Sequence, residues 1–322
     1  MADRGSVDNA LLAPEALYAG LLADAARNRE TNASHERTAA ERCVGIVFSS
    51  DEIAHPGHPF FGPLMAGMHA RSLERNNDLC LALPRRGGQS SGSAAGVERC
   101  LRHAVDGLIL LGINAADPEL LAAERSGLPT VFLEYSAIGS QAGSVRVDNA
   151  GATAELVAHL AGLGYSRIAH LAGPQDTIEG QDRLRGFRHA MERLGLTAGP
   201  IERGVFSPES GYEQMKSVLA HPPAPQAVVA ASDAQAVGAL VALHEAGLSC
   251  PEDVALTGFD DAAFAARVEP PLTTIRQPAQ ALGADAIDAL NRMLDNPADP
   301  PPTILRAGEL VVRESCGTFL RV

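Results

Sequence analysis

From residue 43 to residue 277 the chain alternates, twice over, between short apolar runs and longer stretches with helical spacing. In the first series the apolar runs lie at 44–48, 79–83, 107–111 and 130–133, with helical patterns at about 62–77, 94–104 and 117–126. The glycines between 139 and 143 interrupt it and mark a candidate domain boundary. A second series follows: strand 145–147, helix 149–163, strand 167–172, helix 180–194, helix 209–220, strand 227–231, helix 233–246 and strand 254–259. Continuous apolar runs separated by amphipathic helices are the pattern of a parallel sheet covered on both faces. Two series of similar length predict an α/β chain of two Rossmann-like lobes with parallel sheets joined by crossovers. A late helix at about 279–294 and a last strand at 309–313 sit where the chain would cross back between them.

Ligands of open α/β sheets bind beyond the carboxyl ends of the strands, and here those ends are polar or aromatic. Ser49, Ser50 and Asp51, then Phe60 and Phe61, follow the first strand; Glu134 and Tyr135 follow 130–133. Gly173-Pro174-Gln175-Asp176 follows 167–172, with Arg183 entering the next helix. Ser232 and Asp233 follow 227–231, and Asp260 and Asp261 follow 254–259. The stretch 256–277 concentrates the pattern: a strand ending at two acids, a Pro270-Pro271 break, then a second extended run ending at Gln277. Such a set describes a cleft between two lobes, with ring faces for stacking and charged groups for fixing hydroxyls.

Composition removes several classes of function. A net charge of −13 argues against a broad nucleic-acid-binding surface, though not against a small basic patch. Lys216 is the only lysine, and it lies in a helical pattern outside any phosphate-binding glycine frame, so Schiff-base and P-loop chemistry are both set aside. No apolar run is long enough for a membrane span and the N-terminus has no signal-peptide pattern, so a cytoplasmic location without membrane contact is expected. The five cysteines are scattered, without a C-x-x-C pair, and read as reduced thiols.

Three local matches to enzyme or metal motifs are weak. Gly88-Gln89-Ser90-Ser91-Gly92 fits G-x-S-x-G, but it falls in a loose loop rather than on a sharp strand-to-helix turn. His55 and His58 lack a third ligand at recognisable spacing. Asp260 and Asp261 are adjacent and so point in different directions, which suits one binding acid and one bracing acid better than a catalytic pair. Neither a dinucleotide fingerprint nor a nucleophile–base arrangement is present, so no cofactor, no metal and no enzymatic activity are expected.

Several motifs in order resemble the core of the LacI/GalR family of bacterial regulators. They are Val147-Asp148-Asn149, His159-Leu160, the run from Leu163 through Gly164-Tyr165-Ser166-Arg167 to Ile168, and Arg183-Leu184-Arg185-Gly186-Phe187. Thr257-Gly258-Phe259-Asp260-Asp261, Pro271-Leu272-Thr273-Thr274-Ile275-Arg276-Gln277 and Leu310-Val311-Val312-Arg313-Glu314-Ser315 complete the set. The resemblance covers about residues 43–322. It implies the periplasmic-binding-protein-like fold, a small-molecule effector in the cleft, a homodimer and operator DNA as partner. Expected lobe boundaries are 43–144 with 277–302, and 145–276 with 303–322. Carried over by position, Arg183 and Asp260 match the ligand arginine and aspartate, and Ser232, followed by Asp233, a polar contact. Phe60, Phe61 and Phe206 match the aromatic or apolar wall, and Gln277 a crossover contact, while Glu134 joins them by its place at a strand end. An arginine–carboxylate pair can bracket vicinal hydroxyls while rings cover apolar sugar edges, so a carbohydrate is the leading effector class.

Residues 1–42 form a short helical arm that departs from the family. Their seven acids against five arginines, a balance of −2, are no nucleic-acid footprint. They resemble only the end of a DNA-binding headpiece and its hinge: Asn32-Ala33-Ser34 fits, whereas Glu36 and Thr38 replace a basic residue and a minor-groove leucine. The expectation is weak or lost DNA binding, through a late start or a real loss. A stand-alone sensor or solute-binding protein is the alternative reading.

Overall fold

The strand β3 (Gly107–Leu111) shows why this chain builds layers. All five residues are buried, and successive side chains enter opposite cores. Ile109 and Leu111 pack with Leu64, Met68 and Ile287, while Leu108 and Leu110 pack with Val97, Leu101 and Ala122. A strand alternates its side chains between two faces, so an unbroken apolar run must be covered on both. The computed structural model describes residues 41–49, 60–83, 95–135 and 141–318. The arm at 1–40, including the hinge motif Asn32-Ala33-Ser34, lies outside these, as do the G-x-S-x-G match and the two loop histidines.

The first sheet contains β1 (Arg42–Phe48), β2 (Asn77–Ala82), β3, β4 (Thr130–Leu133), β5 (Gly143–Val147) and β11 (Thr303–Arg306) in the order β11-β5-β4-β3-β1-β2, every pairing parallel. Helices α1 (Phe61–Arg75) and α8 (Ala279–Asp295) cover one face, α2 (Ala95–Arg102) and α3 (Pro118–Ser126) the other. The second sheet orders β7 (Ala198–Arg203), β6 (Ile168–Ala172), β8 (Ala227–Ala230) and β9 (Ala255–Thr257), again all parallel. Its faces are covered by α4 (Asn149–Gly162) with α5 (Ile178–Arg193), and by α6 (Pro208–Leu219) with α7 (Asp233–Glu245). A small antiparallel pair, β10 (Thr274–Arg276) with β12 (Glu309–Val311), joins the crossing segments.

Two boundaries differ from expectation. The run 143–147 closes the first sheet instead of opening the second, because β5 pairs with β4 and buries Val145 and Val147 in the first core. Residues 303–306 likewise extend the first sheet beside β5 instead of joining the second lobe. The switch therefore follows Val147, where Asp148 caps α4 by accepting from the Gly151 amide. Two strands escape the sequence reading, β7 and β11. Both sit at sheet edges and are at best half-buried, so neither carries an apolar run.

Asp261 braces the crossing strands. Its carboxylate accepts from Arg276 Nε at 2.8 Å and from an Arg313 guanidinium nitrogen at 2.6 Å. Asp261→Ala is expected to cost about 1–2 kcal/mol, the worth of a charge-assisted pair with one exposed partner. Chemical denaturation would check it, and a cost below about 0.3 kcal/mol would mean that the loop holds itself.

Candidate functional site

The carboxyl ends of both sheets converge on one cavity of about 320 Å³. From the first lobe come Phe60 before α1, Leu111 to Asn114 after β3, and Glu134 at the end of β4. The second lobe supplies Pro174, Thr177, Glu179 and Arg183 from β6 and α5, Phe206 from the loop after β7, Ser232 after β8, and Asp260, Ala262 and Phe264 after β9. Gln277 enters from the crossover. Seven of the nine expected site residues, namely Phe60, Glu134, Arg183, Phe206, Ser232, Asp260 and Gln277, thus line one cleft.

The other two do not line it. Phe61 turns toward the first core, its ring centroid 5.4 Å from that of Phe48. The Asp233 carboxylate points beneath the cleft, accepting from the Ala262 amide at 2.8 Å and the Thr274 hydroxyl at 2.6 Å. It ties the Asp260 loop to α7 and β10 instead of facing the cavity.

Arg183 is the centre of the arrangement and is only 4% exposed. Its Nε donates to Asn149 Oδ1 at 2.8 Å, one terminal nitrogen donates to the Ala231 carbonyl at 2.5 Å, and that nitrogen stands 3.7 Å from Asp260 Oδ1. The guanidinium lies 3.7 Å from the Phe259 ring centroid and 5.1 Å from that of Phe206, so its flat faces are covered and its polar edge is aimed. Burial pulls its pKa down, and Asp260 is the largest influence in the other direction. Phe206 reaches its place because Gly173 has no side chain: a Cβ there would stand 2.2 Å from the ring.

Asp260 adopts φ 121°, a region that residues other than glycine rarely occupy. It is held there by its amide, which donates to the Ile275 carbonyl at 2.8 Å, and by Gln277 Nε2, which donates to its Oδ1 at 2.6 Å. Ser232 caps α7, its hydroxyl accepting from the Gln235 amide. Glu134, at φ 55°, accepts from the Val147 amide at 2.7 Å and from Asn149 Nδ2 at 3.2 Å. Glu134, Asn149, Arg183, Asp260 and Gln277 therefore form one chain of polar contacts running from the first lobe through the second to the crossover.

Burial pushes Glu134 up to about 8, with the Glu179 charge adding to it, and pushes Asp233 up to about 8, with Asp260 adding. Asp260 rises to about 6 through burial, against the pull of Arg183. Each folded-state value exceeds the ordinary carboxylate value, so the native state holds the extra protons between about pH 4 and pH 8. Unfolding releases these protons, and stability falls as pH rises through that window. The ligand-free protein is accordingly expected to lose thermal stability from pH 5.5 to pH 8. A flat or rising melting temperature would mean that these acids are ionised throughout.

Asn114, Thr177, Glu179 and Phe264 were missed from sequence. Glu179 was within reach, since it lies one helical turn before Arg183 and so shares its face of α5. Phe264 sits in an irregular small-residue segment that carries no periodic signal. Among the described residues no group of three histidine, cysteine or carboxylate side chains converges to hold a metal ion, and no helix is long and apolar enough to cross a membrane.

Comparison with known proteins agrees with this fold. The periplasmic binding protein-like domain matches residues 157–316. The ribose operon repressor of Escherichia coli strain K12 is 34% identical over 244 residues, 74% of this chain and 73% of the repressor. The HTH-type transcriptional regulator CelR of Thermobifida fusca is 32% identical over 279 residues, covering 84% of this chain and 80% of the relative. The solved complex of the transcriptional regulator CelR with cellobiose superposes with a TM-score of 0.76 at 30% identity, covering 89% of both chains. The chain belongs to the LacI family of transcriptional regulators.

Proposed function

We propose that this chain is an effector-responsive transcriptional regulator, not an enzyme, whose cleft takes a carbohydrate and whose lobe closure alters its hold on operator DNA. The observation that carries the reading is the Arg183–Asp260–Gln277 edge facing the rings of Phe60, Phe206 and Phe264 across one interlobe cavity. A charged donor beside a charged acceptor suits adjacent hydroxyls, and rings suit the apolar face of a pyranose or furanose. The relatives named for ribose and in complex with cellobiose support the class of ligand.

Both lobes and the crossover contribute to the cavity, so a ligand touching all three favours the closed arrangement over an open one. That differential affinity shifts the equilibrium between lobe positions. A homodimer is the state in which such a shift reaches DNA. Leu73 of α1, Leu81 of β2 and Leu83 after it are 69%, 45% and 44% exposed, and β2 is an edge strand of the first sheet among the described residues, a face suited to a second copy. A cytoplasmic location goes with this reading.

Thermal-shift titration with ribose, cellobiose and the common hexoses, followed by gel shifts on DNA upstream of the chain's own gene, tests it. A sugar that raises the melting temperature should also change the DNA affinity. The reading is lost if no sugar stabilises the protein.

A further inference from the structure

Glu134 and Glu179 face the cleft from opposite lobes. Glu134 ends β4 of the first sheet, whereas Glu179 lies in the first turn of α5, which packs on the second. Among the described residues the cavity lining holds three carboxyl groups, these two and Asp260, against the single guanidinium of Arg183. Arg183 is already committed to Asp260, Asn149 and the Ala231 carbonyl. Arg146, nearby on β5, pairs instead with Asp182 at 3.6 Å. Among the described residues Arg183 is the one cation lining the cavity, so a single guanidinium, in direct contact with Asp260, Asn149 and the Ala231 carbonyl, serves three carboxyl groups.

A carboxylate in such a place with only a share of one counter-charge is costly and avoids the cost by keeping its proton. Burial raises both groups, and the Glu179 charge is the next influence on Glu134. Yet the two donors on Glu134, the Val147 amide and Asn149 Nδ2, are of the kind that favour an ionised carboxylate. A second positive charge beside Arg183 would let both glutamates ionise. Independently of Glu134 and Glu179, the interlobe cavity, its three rings and the Asp260–Gln277 edge mark this place as a candidate ligand site.

We propose that Glu134 and Glu179 form a subsite for a protonated amine, so that the effector is an amino sugar. The inference rests on the carbohydrate reading above and narrows it. An ammonium group carries three donors and one positive charge, which lets both carboxyls ionise and gives each a charge-assisted hydrogen bond. Because the acids belong to different lobes, the same group draws the lobes together, and closure becomes tied to the charge of the ligand. A neutral hydroxyl supplies neither effect. Among the described residues the three cavity carboxyls do not converge into a group that could hold a metal ion.

The whole chain is titrated at pH 7 with glucose, galactose and mannose, with their 2-amino-2-deoxy derivatives, and with the N-acetylated forms. Calorimetry in two buffers of different ionisation enthalpy counts protons. At least one amino sugar is expected to bind about tenfold or more tightly than its parent and its N-acetyl form, the worth of one hydrogen bond to a charged group. Binding should release protons, since Glu134, pushed up to about 8 by burial and facing Glu179, Arg183 and Asn149, loses at pH 7 the proton it holds when the site is empty. In Glu179→Gln the ratio of amine to parent affinity should shrink to about threefold or less. Parent hexoses binding as well as every amine overturns the amine subsite and leaves the carbohydrate reading intact. A melting temperature raised by magnesium or calcium chloride alone, and lowered again by chelation, overturns it in favour of a metal. Silence across the whole panel overturns both.

Discussion

Arg183→Met is expected to abolish effector-induced stabilisation, with at least about a hundredfold loss of affinity, the worth of roughly two charge-assisted contacts. The guanidinium is the one group that touches the Asp260 carboxylate, the Asn149 amide and the Ala231 carbonyl together, and it does so between the rings of Phe206 and Phe259. Methionine keeps much of the packing and loses every donor. The fold should also weaken, by about 3 kcal/mol at pH 8, where Asp260, Glu134 and Glu179 are left without their buried counter-charge. At pH 6 the cost should be smaller. The freed Asp260 then has a folded-state pKa still higher than about 6. It takes up its proton readily in acid and resists ionisation in base, so the gap from the parent protein widens as pH rises. Urea melts at the two pH values, with and without a stabilising sugar, separate the effects. An equal cost at both would show that lost packing, not charge, dominates.

How much of this was legible in the residues depends on burial. Strands such as 107–111 and 130–133 are buried on both faces and announced themselves as unbroken apolar runs. The edge strands β7 and β11 carry half-exposed, mixed residues and gave no such signal. The reading of 145–147 as the first strand of the second series fails for a related reason. A strand that closes one sheet and precedes the crossover to another has the same local sequence as a strand that opens the next, and only its pairing with β4 decides. Within the site, the strand-end residues Glu134, Ser232 and Asp260 line the cavity because topology alone carries strand ends there. Phe61 and Asp233 are the neighbours of cleft residues, and each opens a helix in which adjacent side chains point in different directions: Phe60 faces the cavity and Phe61 the core, Ser232 the cavity and Asp233 the loop beneath. The two adjacent acids after β9 divide in the same way. Asp260 faces the cleft with Gln277 on it, and Asp261 lies between two arginines that join the crossing strands.

That division depends on Gly258, and Gly258→Ala should be among the most damaging small substitutions in the second lobe. A Cβ at 258 would stand 2.1 Å from Asp233 Oδ1 and 3.2 Å from the Asp233 Cα. The carboxylate cannot swing away cheaply, because its two oxygens hold the Thr274 hydroxyl and the Ala262 amide, and Asp233 itself is fully buried. Backbone movement is no easier: the Gly258 amide donates to the Thr273 carbonyl at 2.8 Å, and the Asp233 amide donates to the Phe259 carbonyl at 2.7 Å. Crowding combined with a broken buried hydrogen bond should cost about 3 kcal/mol. Asp233→Ala removes the obstacle and the same two bonds, so it should cost a similar amount alone. The double variant should then cost clearly less than the sum of the singles, because the alanine at 258 meets no carboxylate. Strict additivity in denaturant melts would mean that Gly258 is constrained by something other than Asp233. The ligand readout follows from the same geometry. The 258–262 loop sets the φ of 121° at Asp260 and so the position of its carboxylate against Arg183 and Gln277. Either single variant should weaken effector affinity even where the protein remains folded, because the loop that carries Asp260 would no longer be pinned to α7 and β10 through one buried acid.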